Sequence, residues 1–136
     1  MSGLPHHTSD PECLLCEQKL TQAHPDLGKW FRDLKSRHAN VHISWSYRDQ
    51  ESQEKAFSEG TTKLHYPLSA HNHTVQGEPQ ALALDIFQID DTGKAVFDPV
   101  FCAKVNQESL SLGYQLKWGG QWKSLGDNDH FQITDT

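Results

Sequence analysis

The sequence predicts an α+β domain, a small antiparallel sheet with helices packed on one side. Three observations predict it. Leu27, Trp30, Phe31 and Leu34 recur at i, i+3, i+4 and i+7, the stripe of a helix that buries one face. Val41, Ile43, Trp45 and Tyr47 alternate with His42, Ser44 and Ser46, the period of a strand with one buried side. The chain has 136 residues, 35% of them hydrophobic, with 4 Trp and 6 Phe. A chain of this length buries roughly two-thirds of its unfolded surface, enough for one core.

The elements follow in order. From Glu12 to about Ala23 the helical pattern is weak. A second helix begins at Pro25, where a missing amide proton does no harm. After the strand at residues 41 to 47, Asp49 caps a helix that runs to about Glu59, and Gly60 ends it in the left-handed conformation. Residues 61 to 80 show no period and read as a long loop, a kind of segment that commonly carries function. Ala81 to Ile89 is a second strand, closed by the turn Asp90-Asp91-Thr92-Gly93. Asp98-Pro99 starts a helix through about Leu112, with Gly113 as its stop. Tyr114 to Trp118 is a third strand, Gly119-Gly120 a turn and His130 to Ile133 a last short strand. The chain reads as a single domain over residues 1–136, with an N-terminal helical segment at 1–28 and the principal core at 40–136.

Composition excludes several function classes. The net charge of -6 leaves no basic excess to displace counterions from phosphates, so nucleic acid is not an expected partner. No apolar run approaches the roughly 20 residues that span a bilayer. MSGLPHHTSDPE lacks the basic end and apolar stretch of a secretory signal. Three cysteines cannot all pair within the chain, which makes a reduced setting the simplest. Cys102 reads as a core thiol. Cys13 and Cys16 form a CxxC that reads chiefly as buried thiols on a helix, with structural zinc as the sharper alternative.

Chemistry concentrates in three places. In the strand ALALDIF, alternation sets Ala81, Ala83 and Asp85 on one face and Leu82, Leu84 and Ile86 on the other. A carboxylate emerging from an apolar strand is costly unless compensated, by a salt bridge or by a metal. Asp127-Asn128-Asp129-His130 places a histidine at the start of a strand, three positions after a carboxylate. Ser69-Ala70-His71-Asn72-His73 supplies further imidazole in the long loop. Two His and one Asp are a ligand set suited to catalytic zinc, with the fourth position open.

Taken together, SYRDQESQEKAFSEG, SAHN, ALALD and WGGQWKSLGDNDHFQ resemble, in order, the motifs of the zinc peptidases that include phage L-alanyl-D-glutamate endopeptidases and, more distantly, D-alanyl-D-alanine carboxypeptidases. The resemblance runs from Ser44 to Gln132. The Asp-x-x-His form at its end points to the endopeptidase branch, since the carboxypeptidases carry Glu-x-x-His there. It implies one zinc ion held by His71, Asp85 and His130 in a groove over the sheet, with Asp127 as the catalytic carboxylate that moves a proton from water to the leaving amine. Arg48 would stabilise the oxyanion or clamp a substrate carboxylate, with Ser69, Gln53 and Tyr47 as substrate-binding neighbours. One departure is clear: the family usually sets its first His seven residues before the Asp, whereas here His71 and Asp85 are fourteen apart. An insertion of that length is cheap in closure entropy, but it makes His73 a rival to His71.

The implied function is hydrolysis of the L-Ala to D-Glu amide of peptidoglycan stem peptides by a monomeric phage endolysin. Such an enzyme waits in the host cytoplasm until lysis releases it to the periplasm or cell wall. A D-alanyl-D-alanine carboxypeptidase or a tail-associated wall hydrolase would share the centre. From another class, a non-catalytic module could use zinc only to stiffen a peptide-binding groove.

Overall fold

The computed structural model describes residues 14–60, 62, 64–121 and 129–133. Among these residues four α-helices, α1 (Leu14–Leu20), α2 (Pro25–Arg37), α3 (Gln50–Ser58) and α4 (Pro99–Ser111), accompany seven strands. The strands are β1 (Val41–Trp45), β2 (Thr74–Val75), β3 (Glu78–Pro79), β4 (Ala83–Ile89), β5 (Ala95–Val96), β6 (Leu116–Trp118) and β7 (His130–Ile133). The main sheet has the order β1-β4-β7-β6, with β5 added against the far end of β4. Its pairings are all antiparallel. The α+β class expected from the sequence is the one observed.

The local reasons are those the sequence offers. His24 accepts the Asp26 amide to cap α2 in front of Pro25. Asp49 accepts the Ser52 amide at α3, and Asp98 the Val100 amide at α4. Gly60 and Gly113 take φ of 78° and 90° past the ends of α3 and α4, where a side chain would be strained. At the Gly119-Gly120 turn, a Cβ on Gly120 would overlap the Trp118 ring, so this close approach requires glycine.

The core lies on one face of the sheet. Leu27, Trp30, Phe31 and Leu34 of α2 and Phe101, Cys102 and Val105 of α4 meet Val41, Ile43, Leu84, Ile86 and Phe131. Burying one such large apolar side chain is worth about 1.5–3 kcal/mol. Trp30 stacks near Phe131 with ring centroids 5.1 Å apart and donates its indole N–H to Ser109 Oγ at 2.8 Å, so the buried indole keeps a partner. α3 contributes no residue to this cluster. No described helix is long and apolar enough to cross a membrane.

Several expectations are corrected. α1 ends at Leu20 because Ala23 leaves the helix to bridge Ala81 in parallel. β1 ends at Trp45, where the register against β4 shifts between Ile43 and Trp45. That irregularity turns Trp45 out of the core face, leaving it 38% exposed. His42, expected on the outer side of its strand, is buried beside Cys16 and 5.8 Å from the Phe87 ring. The segment 61–80 is not wholly irregular: it holds a 3-10 turn at Ala70–Asn72 and the β2–β3 ribbon. Cys16, read as a thiol, is disulfide-bonded; Cys13 lies outside the described residues, and Cys102 is the buried free thiol expected.

Candidate metal centre

β4 lies between β1 and β7, and its burial extends to residues on both faces. Leu84 and Ile86 enter the core, while Asp85 points the opposite way into a cavity of about 370 Å³. The same parity on β7 sends Phe131 inward and turns His130 and Gln132 toward that cavity. Antiparallel pairing places Asp85 directly opposite His130. His71 arrives from the 3-10 turn, whose geometry Ser69 fixes: its Oγ accepts the His71 amide at 3.1 Å, and Asn72 Oδ1 accepts the Ser69 amide at 3.0 Å.

Asp85 Oδ1 lies 3.2 Å from His71 Nε2 and 3.1 Å from His130 Nδ1. All three side chains are buried, and their ligand atoms lie within 4.8 Å of one another. His71 Nδ1 is 2.7 Å from the Ser46 carbonyl, which can only accept, so Nδ1 carries the proton and Nε2 turns its lone pair toward Asp85. His130 Nε2 lies 2.8 Å from Gln132 Oε1, and donation to that oxygen turns the Nδ1 lone pair toward Asp85. With the rings in these tautomers three acceptor atoms face one another, and a metal ion between them would satisfy all three. Tetrahedral ligation with bonds of about 2.0–2.1 Å spaces ligand atoms by roughly 3.3 Å, close to the two edges observed. The donor set therefore fits a metal ion. Without an ion, burial alone would raise the Asp85 pKa, but positive charge and hydrogen bonds from His71 and His130, present when a ring nitrogen facing Asp85 carries a proton, outweigh it and hold the carboxyl below the usual carboxylate range.

Arg48 closes one side. It is only 4% exposed. Its Nη2 lies 3.4 Å from Asp85 Oδ2, its Nη1 donates to Gln53 Oε1 at 3.2 Å, and its guanidinium sits 4.8 Å over the Trp45 ring. Arg48 Nε has no partner among the described residues.

The structure brings His71, Asp85, His130, Arg48 and Ser69 to one cavity. Gln53 and Tyr47 stand behind it. Gln53 is fully buried, gives its carbonyl to Arg48 and Asn72, and donates its amide to the Leu64 carbonyl at 2.7 Å. Tyr47 packs against the core. His73 turns away, its Nδ1 2.8 Å from the Gln80 carbonyl. Asp127 lies outside the described residues. Sequence reasoning missed Trp45, Phe97 and Asp129 as cavity walls and Gln132 as the partner of His130. Only Gln132 had a signal, two positions from His130 on a strand and therefore on the same face.

No protein-family model and no curated protein matches the sequence. Among solved structures, the chain is similar to the crystal structure of the Serratia marcescens L-Ala D-Glu endopeptidase ChiX. The TM-score is 0.68 at 24% sequence identity, over 88% of this chain and 86% of that one. At that identity the likeness establishes a shared fold.

Proposed function

We propose that the chain is a zinc peptidase that hydrolyses the L-Ala to D-Glu amide of peptidoglycan stem peptides. The observation that carries this reading is the convergence of His71, Asp85 and His130 in an open cavity, in a fold shared with an enzyme named for that bond. Zinc held by the three would supply Lewis acidity and an acidified water near neutral pH.

The chain's own residues do the rest. Arg48 presents a buried positive charge beside the metal ligands, where an oxyanion would develop during attack on the amide. Asp127, on the Asp-x-x-His spacing, takes a proton from the attacking water and delivers it to the departing D-Glu nitrogen. Ser69 Oγ already accepts the His71 amide, which leaves its hydroxyl proton for substrate. Gln53 and Tyr47 act as positioning residues, Gln53 by fixing Arg48 and Asn72. The motif resemblance supports a lytic role in phage infection, with the protein held in the host cytoplasm until it reaches the wall.

Purified peptidoglycan incubated with the zinc-loaded protein and analysed by mass spectrometry tests the reading. New L-Ala carboxyl and D-Glu amino ends are expected. Loss of terminal D-Ala instead would identify a carboxypeptidase, and release of nothing would leave a non-catalytic module.

A further inference from the structure

Phe97 is 56% exposed, yet it is held in place. It follows β5 and stacks on Phe87 with centroids 5.4 Å apart and planes at 28°; Phe87 in turn lies 5.8 Å from the His42 ring. The outermost ring of this three-ring stack lines the cavity of the metal ligands. An aromatic ring backed by a second ring and open to solvent beside the candidate metal centre is a ready stacking platform, since the negative face of the ring attracts polarised C–H groups.

Its position carries the assignment, which rests on the proposed cleavage of the L-Ala to D-Glu bond. Val96 pairs with Gln88, which sets Phe97 beside Phe87, and Phe87 stands two residues from Asp85 on β4, a displacement of about 6.6 Å along the strand. L-Ala is the first residue of the stem, and a lactyl ether joins it to the amino sugar of the glycan. From the scissile carbonyl to that sugar the chain therefore has one amino-acid unit and one lactyl unit, together about 7 Å when extended. We propose that Phe97 is the platform of a sugar subsite, on which the amino-sugar ring of a glycan-linked stem peptide stacks while its L-Ala carbonyl lies over His71, Asp85 and His130.

The test compares a disaccharide-linked stem tetrapeptide with the same free tetrapeptide, using zinc-loaded wild type, Phe97→Ala, Phe97→Leu and Phe97→Tyr. Circular dichroism checks that each variant is folded. Wild type should favour the glycan-linked substrate in kcat/KM by about tenfold, the ratio expected from one stacked ring and its buried area. Phe97→Ala and Phe97→Leu should bring the ratio near unity, and Phe97→Tyr should keep it. Equal rates for both substrates in wild type, or a ratio unmoved by Phe97→Ala, would overturn the subsite while leaving the peptidase reading intact. Cleavage of neither substrate would overturn the peptidase reading and the subsite with it.

Discussion

Arg48 shows how much of a site can depend on a neighbour outside every motif. Its main chain is pinned: the amide donates to the His71 carbonyl at 2.9 Å and the carbonyl accepts from Asn72 Nδ2 at 3.0 Å. The guanidinium is steered by Gln53, Asp85 and the Trp45 ring beneath it. A cation over an indole is worth about 0.5–2 kcal/mol, depending on how dry the pair is. Trp45→Ala should therefore lower kcat on peptidoglycan by roughly 3- to 30-fold with little change in KM, and Trp45→Phe should recover most of it. Steady-state kinetics on soluble muropeptides separates the cases, for a change confined to KM would make Trp45 a substrate contact. Cys102 gives a second residue-scale expectation. Burial first, then the charges of Asp129, Asp98 and Asp85, push its thiol up to about 12. Because the thiolate is the nucleophile, iodoacetamide at pH 8 should label native Cys102 at least about a hundredfold more slowly than the unfolded chain. Equal rates would contradict its burial.

Among the elements, α2 and α4 are tied by a charged clasp at the edge of the core. Glu108 on α4 meets Arg37 and His38 at the end of α2, with His38 Nε2 2.9 Å from Glu108 Oε1. The hydrogen bond from His38, against some desolvation, holds the Glu108 carboxyl below its ordinary value. A folded-state pKa below the unfolded one gives stability that is present above the ordinary glutamate value and lost as pH falls through the folded value. Glu108→Gln should thus lower Tm at pH 7, and the difference from wild type should shrink toward zero by about pH 3 in thermal melts. A constant difference across that range would assign the loss to packing. The sequence made α2, α3 and α4 legible through their caps, stripe and glycine stops, and β4 and β7 through their alternation. β2, β3 and β5 are two residues long, too short to display any period. Trp45 escaped because the register shift in β1 is set by pairing with β4, which no local pattern records. The cluster of His71, Asp85 and His130 was legible as motifs in order, whereas Phe97 belongs to no motif and became visible only through its stack on Phe87.

Across the whole molecule, the candidate metal ligands join three segments that are distant in sequence: the 3-10 turn, the central strand β4 and the last described strand β7. An ion that binds only this folded arrangement must stabilise the entire chain. Free zinc at about a hundred times its Kd adds roughly 2.7 kcal/mol. For a domain of this size that corresponds to a rise in Tm of roughly 5 to 15 °C. Scanning calorimetry of protein stripped by a chelator and then titrated with zinc should show this rise, and excess chelator should reverse it. Metal binding requires deprotonated imidazoles, so the rise should diminish below about pH 6, where imidazoles in general take up protons. His71→Ala and Asp85→Asn should abolish it, whereas His73→Ala should leave it in place, because His73 is turned to the Gln80 carbonyl. A stabilisation that survives His71→Ala and vanishes with His73→Ala would exchange the two ligands. One that survives both would put the ion elsewhere in the chain and detach the proposed chemistry from the cavity.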